Sequence, residues 1–152
     1  MPVSVTMNKE ALMASVHKQE AALVRLAARI CVQEVQHLMR ESPATGRIYP
    51  SRTGHGYHQA SAPGEPPAVD TGALVKSISA NVVATDTGAE AMVGSTLPKR
   101  IWAWLEYGTA NIAPRPSARP AFQQTIVKIR EILKSKNIGA TITQVGGEDV
   151  GP

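Results

Sequence analysis

Apolar residues recur at helical spacing over residues 8–41, where Leu12, Val16, Leu23, Ala27, Ile30, Cys31, Val35 and Leu38 share one side. Lys9, Lys18, Arg25, Arg29 and Gln36 fall mostly on the other, and the pattern predicts a long amphipathic helix. Asn8 is placed to cap its start, and Pro43 opposes helical continuation past Glu41. At 1.5 Å per residue such a helix runs about 45 Å, more than a small domain needs for its own core, so part of one face is expected to meet another chain.

The periodicity then stops. Pro43, Gly46, Pro50, Gly54, Gly56, Pro63, Gly64, Pro66 and Pro67 interrupt residues 42–69 repeatedly, and only "RIY" (residues 47–49) reads as a short strand. Connections of this length are uncommon inside compact domains and are usually functional or disordered, which makes the loop at about 43–69 the first candidate segment. Asp70 stands in N-cap position before "TGALVKSI", where its carboxylate can accept the amides of Gly72 or Ala73 and complement the helix dipole. A helix of about two turns is expected there, with Leu74, Val75 and Ile78 as apolar contacts.

Two β-like runs, "ISANVVA" and "AEAMVGS", flank Thr85-Asp86-Thr87-Gly88 and predict an antiparallel hairpin. "KRIWAWLEYGT" follows as the densest aromatic patch in a chain with only 4% aromatic residues. Ile101, Trp102, Trp104 and Leu105 fit a helical stripe after Pro98, and Gly108 is placed to end that helix in the left-handed conformation. Trp102, Trp104 and Tyr107 read as core or interface anchors, with a ligand pocket as the alternative. A second Pro-rich connection, "NIAPRPSARPAF", leads into a closing helix that aligns Phe122, Ile126, Ile129 and Leu133. The order of elements predicts an α+β fold: a long N-terminal helix, an extended Pro/Gly-rich loop and a small antiparallel sheet packed with helices. Residues 1–140 are read as one domain and residues 141–152, Gly-rich and weakly patterned, as a tail.

Composition agrees with a single core, since the 152 residues are 43% hydrophobic. The formal charge of +4 and pI near 9.5 are spread along the chain, which favours solubility and proximity to polyanions without naming a partner. Cys31 is the lone cysteine, so no intrachain disulfide can form, and its apolar neighbours suggest a buried, inert thiol. "MPVSVTMNKE" has no signal-peptide pattern, and "AALVRLAARICV", broken by Arg25 and Arg29, falls short of a membrane span. The expectation is a chain kept in the cytoplasm unless an assembly carries it elsewhere.

Candidate chemistry is sparse. Among His17, His37, His55 and His58 only "HGYH" brings two together, without a third ligand for a metal. Glu65, Asp70 and Glu106 can be imagined as an acid–base set, but each has a simpler role: turn residue, helix cap, and polar face of a helix end. "SAPGEPP" lacks the Gly-Lys-Ser/Thr element of a phosphate loop. No catalytic residue, cofactor or metal is therefore expected. Arg47, Arg52, His55, Tyr57 and His58 do gather cations and a ring that could touch phosphates and stack a base, which keeps DNA contact as the runner-up.

Two stretches, "ASAPGEPPAVDTGALVKSI" (residues 60–78) and "WAWLEYGTANIAPRPSARPAF" (residues 102–122), together with the long helix before them, resemble the small neck or tail-completion proteins of long-tailed bacteriophages. The similarity spans most of residues 8–135 and is carried by "APGEPPAVDTG" and "LEYGT...RP...RPAF" in that order. Trp102 and Trp104 depart from the "YA..LE" that relatives often have, and the chain after Lys136 lies outside it. The resemblance implies a structural, non-enzymatic virion protein of the minor tail class. It would be assembled in the host cytoplasm and located at the neck or proximal tail, where it takes part in head–tail joining. Its implied partners are copies of itself in a ring, a hexamer by the symmetry of tails, and neighbouring neck, head-closure or tail proteins. A DNA-contacting accessory protein of the same particle, touching packaged DNA non-specifically, is the alternative, and no membrane is involved.

Within that reading Pro63, Gly64, Glu65, Pro66 and Pro67 form an assembly arm, because fixed proline φ lowers the entropy lost when an extended segment orders. Asp70 and Gly72 tie the arm to the body. Leu105 and Tyr107 anchor a helix end with Glu106 on its polar face, Gly108 terminates it, and Arg115 and Arg119 reach carboxylates in the same subunit or the next.

Overall fold

The helical periodicity of the N-terminal segment becomes one uninterrupted helix, α1 (Lys9–Arg40), in a computed structural model that describes residues 9–85, 88–98 and 100–134. Its 32 residues extend about 48 Å, and the short second helix, both strands of the longer hairpin and the C-terminal helix pack along it. Asn8, the side chain of Leu12, the turn residues Asp86 and Thr87, and the C-terminal tail lie outside the described residues.

Two apolar clusters form along α1. In the first, Val35 and Met39 meet Val75, Ile78 and Ala121, with Val32, Leu38, Leu74, Val93 and Trp102 packed around them. In the second, Ala27 meets Ile129 and Leu133, edged by Leu23, Ile30 and Cys31. Val16, assigned to the apolar face by spacing, is 38% exposed among the described residues. Gln36, assigned to the polar face, instead turns inward and donates to the carbonyls of Val75 (3.2 Å) and Ile78 (3.3 Å). Cys31 is half-buried and shares a hydrogen bond with Thr125 Oγ1 at 3.5 Å.

The loop holds more structure than its punctuation predicts. A short hairpin pairs β1 (Ile48–Pro50) with β2 (Tyr57–Gln59), antiparallel, with Tyr49 opposite His58. Pro50 is tolerated because β1 has one partner only, so the missing N–H faces an unpaired edge. α2 (Ala73–Ser77) is a five-residue helix rather than two full turns, and Ile78 already opens β3 (Ile78–Thr85).

β3 and β4 (Gly88–Ser95) pair antiparallel from Ile78↔Ser95 to Thr85↔Gly88. Val82 and Val93 fall on the same face of this ribbon by register and are half-buried, Val93 against the first cluster. Val83 and Met92 fall on the opposite face and are 51% and 70% exposed. α3 (Ile101–Tyr107) and α4 (Ala118–Lys134) complete an α+β fold. On α4 the buried stripe is Ala121, Thr125, Ile129 and Leu133, a strict i, i+4 row that leaves Phe122 and Ile126 half-covered. No helix among the described residues is long and apolar enough to cross a membrane.

Candidate functional site

The two sequence signatures, far apart along the chain, meet where α3 hands over to α4. Glu106 is the hub. It is 3% exposed, so it is not on a polar helix face as the sequence pattern suggested. Its Oε2 accepts the amides of Ser117 (2.7 Å) and Ala118 (2.8 Å), and its Oε1 accepts the amide of Arg119 (2.9 Å). These are the amides of the residue before α4 and of the first two residues in it, which have no carbonyl partner inside the helix. A carboxylate delivered from another helix therefore does the work of an N-cap and meets the positive end of the α4 dipole.

Arg119 closes the arrangement from outside. Its Nε lies 3.3 Å from Glu106 Oε1, its Nη2 donates to the Glu106 carbonyl at 3.0 Å, and its guanidinium stands 5.5 Å from the centre of the Tyr107 ring. The carboxylate that Arg119 reaches is in its own subunit. Trp102 adds a bond from Nε1 to the fully buried Ser117 Oγ at 2.9 Å, while Trp104 is 39% exposed. Leu105 is half-buried and its carbonyl accepts the Arg115 amide at 2.6 Å.

Gly108 ends α3 with φ 81° and ψ 177°, a positive-φ conformation distinct from the left-handed helical one expected. A Cβ there would stand 2.8 Å from the Ile112 carbonyl oxygen and 3.0 Å from Pro114 Cδ. Conformation and close approach both demand glycine.

The first signature docks on this junction. Ala62, Pro63, Gly64 and Glu65 make a tight turn, with the Glu65 amide on the Ala62 carbonyl at 3.2 Å and Gly64 at φ 87°. Proline second and glycine third is the combination a type II turn requires. The Gly64 amide donates to the Pro114 carbonyl at 2.9 Å, and Arg115 Nε donates to the Ser61 carbonyl at 3.1 Å. Arg115 thus binds backbone carbonyls, those of Ser61 and Ala113, where a carboxylate was expected. Glu65 accepts the amides of Ala62 (2.8 Å) and Thr45 (3.0 Å) and the Thr45 hydroxyl. The Thr45 hydroxyl first, then the Ala62 and Thr45 amides, hold its carboxyl below the ordinary range, with Arg115 adding to the effect. Ser42 Oγ donates to the Pro66 carbonyl at 2.7 Å, and Pro67 is buried. The Pro63–Pro67 stretch is therefore folded onto the body, not extended away from it.

What stands away is the β1–β2 hairpin. Asp70 braces it, accepting Ser51 Oγ at 2.6 Å and the Arg52 amide at 3.1 Å, which lowers its carboxyl pKa chiefly through the Ser51 bond. Asp70 does not cap α2. Gly72, at φ 76°, occupies that position, and Thr71 Oγ1 takes the Ala73 amide at 3.3 Å. Gly46 supports the hairpin base by proximity, since a Cβ on it would lie 2.6 Å from the Ser61 carbonyl oxygen.

Sequence reasoning missed Thr45, Ser61 and Ser117, whose partners come from distant segments, so no local pattern marks them. Among the described residues no three His, Cys, Asp or Glu side chains are grouped so as to hold a metal ion. Glu65, Asp70 and Glu106 each serve a separate backbone-bracing task instead of facing a common space. A shallow groove bordered by Leu38, Gly64, Pro66, Pro116, Arg119 and Gln123 runs beside the junction. Comparison with protein-family models, with curated proteins and with solved structures gives no match for this chain.

Proposed function

We propose that this chain is a structural subunit of a long-tailed bacteriophage virion, completing the neck or proximal tail and joining head to tail as a ring of copies, six by the symmetry of tails. The reading rests on the resemblance of its paired signatures to neck and tail-completion proteins. The observation that carries it is that those signatures form one bonded unit: the Pro-Gly turn grips the α3–α4 connection through Gly64–Pro114 and Ser61–Arg115, and Glu106 locks that connection to α4. Residues gathered this way brace backbone, which is what a repeating structural subunit needs.

Surface is left over for neighbours. Met92 and Val83 are exposed on the outer face of the β3–β4 ribbon, and Met13 (53%) and Leu26 (43%) on α1. Large apolar side chains in solvent are commonly covered in an assembly. Location in the virion, ring formation and contact with head-closure or tail proteins belong to this same proposal.

The test is a cryo-electron microscopy reconstruction of particles made with and without this protein, with the mass of the isolated chain measured alongside. Unjoined heads and tails, or loss of a ring of density at the neck, is the expected result. Complete, infectious particles with no density lost would reject the reading.

A further inference from the structure

The β1–β2 hairpin has a composition the junction does not use. Between Ala44 and Ala60 the sequence carries Arg47, Arg52, His55 and His58 and neither Asp nor Glu. Arg47, Arg52 and His55 are exposed, and the Tyr49 and Tyr57 rings are 48% and 80% exposed. The single ion pair among the described residues is Arg119–Glu106, so neither hairpin arginine is neutralised by a direct pair with a described carboxylate. Two carboxylates reach this stretch: Glu65, at its base, is taken up by Thr45 and Ala62, and Asp70 is taken up by Ser51 Oγ and the Arg52 amide and meets His58 and the Arg52 side chain only through space.

The geometry is that of a free ribbon. β1 and β2 pair only with each other, the Ser51 amide closes the tip on the Gly56 carbonyl at 3.0 Å, and the Gly54 amide returns to the Ser51 carbonyl at 3.1 Å. At the base the Gly46 and Ala60 amides bond across to Ala60 and Arg47. The ribbon is thus held at both ends while its flanks stay open.

We infer that the β1–β2 hairpin is a contact site for duplex DNA, with Arg47 and Arg52 as its phosphate-binding side chains. The major groove of duplex DNA admits a two-stranded β-ribbon. Arginine is the side chain best shaped for phosphate, through two parallel N–H···O bonds, and an acid-free, cation-bearing ribbon complements a polyanion. The tyrosine hydroxyls and exposed imidazole add donors along the same strip. Contact with two or three phosphates is weak from one chain and multiplies when several hairpins face one duplex. The site does not depend on the neck reading, because it can be assayed on the isolated chain.

The experiment is fluorescence anisotropy of the full-length chain on a mixed-sequence duplex of about 30 base pairs, titrated between about 50 and 200 mM salt. The double variant Arg47→Ala/Arg52→Ala should weaken binding at low salt at least about tenfold and reduce the slope of log affinity against log salt by about 2. Arg25→Ala/Arg29→Ala, which removes two exposed cations from α1, should leave both unchanged. Circular dichroism melting checks that both variants fold as the parent does. No duplex binding at the lowest salt, parental binding by the hairpin variant, or equal loss in the α1 variant would each overturn the assignment. So would a preference for single-stranded over duplex DNA that Tyr57→Ala abolishes, since that is base stacking and not a ribbon on a duplex.

Discussion

Glu106 Oε2 accepts the Ser117 amide at 2.7 Å, and the two residues are 3% and 0% exposed. Helix α4 therefore starts on a carboxylate that arrives from α3, sealed from water on the acceptor side. Glu106→Gln keeps the shape but replaces one acceptor oxygen by a donor facing backbone donors. The expected loss is about 2–4 kcal/mol of unfolding free energy, measured by urea denaturation. Arg119→Ala removes a half-exposed partner, 46% accessible against 4% for the glutamate side chain, and should cost only about 0–1 kcal/mol. Equal losses in the two variants would mean that the ion pair, and not the capping of α4, is what stabilises the junction.

Three glycines separate conformational strain from crowding. Gly54 has φ 82° with nothing within 4 Å of the point a Cβ would occupy, so Gly54→Ala should cost about 1–2 kcal/mol. Gly108 combines positive φ with an obstructing carbonyl 2.8 Å away, and Gly108→Ala should exceed that by about 1–3 kcal/mol. Gly46 has ordinary φ but a carbonyl at 2.6 Å, so Gly46→Ala must push the base of the hairpin off Ala60 and Ser61. Thermal melting of the three variants should rank Gly54→Ala as the mildest.

Met39 is fully buried between α2, β3 and α4 residues of the first cluster, whereas Val127 on α4 is 62% exposed. Met39→Ala should lose about 2–5 kcal/mol, the transfer of the side chain plus the cavity left behind. Val127→Ala should stay within about 0.5 kcal/mol. A cost at Val127 comparable to that at Met39, in a sample whose mass shows an oligomer, would reveal that this face is buried between copies.

The elements that could be read from sequence are those whose own residues carry the period. α1 was legible along its described length, and its end at Arg40 falls within a residue of the expected stop, because a long, half-covered helix must repeat its apolar positions. The β3–β4 hairpin was legible because β-like runs flank a turn of fitting chemistry, and Thr85↔Gly88 closes where that turn was expected. β2 was not, because "YHQ" lies on a ribbon open on both flanks and needs no apolar alternation. Asp70 satisfied the local grammar of a cap, yet Ser51 and Arg52 arrive through a turn and take its oxygens, leaving Thr71 to serve Ala73. Glu106 was the furthest from reach, since a carboxylate on a seven-residue helix looks solvated until Ser117, Ala118 and Arg119 bring their amides to it. The Pro63–Gly64 turn was visible as punctuation, but its docking on Pro114 was not.

Acid should loosen the loop that Glu65 and Asp70 hold. Glu65 and Asp70 both have carboxyl pKa values below their ordinary 4.5 and 3.8, Glu65 chiefly through the Thr45 hydroxyl and Asp70 chiefly through the Ser51 hydroxyl. A folded-state value below the unfolded one means that the charged form favours the fold. That contribution is fully present above the ordinary values, shrinks as pH falls below about 4.5 and then 3.8, and is gone once pH drops beneath the folded values. The melting temperature should therefore show no change due to these two groups between about pH 7 and pH 5, and should fall below that. Thr45→Val removes the largest cause of the Glu65 shift, and Ser51→Ala the largest cause of the Asp70 shift. Each variant should melt lower near neutral pH yet lose less on acidification, so that its curve converges on the parental one once pH lies beneath the folded-state values. A variant curve running parallel to the parental one down to that pH would show that neither carboxylate is coupled to folding through these hydroxyls.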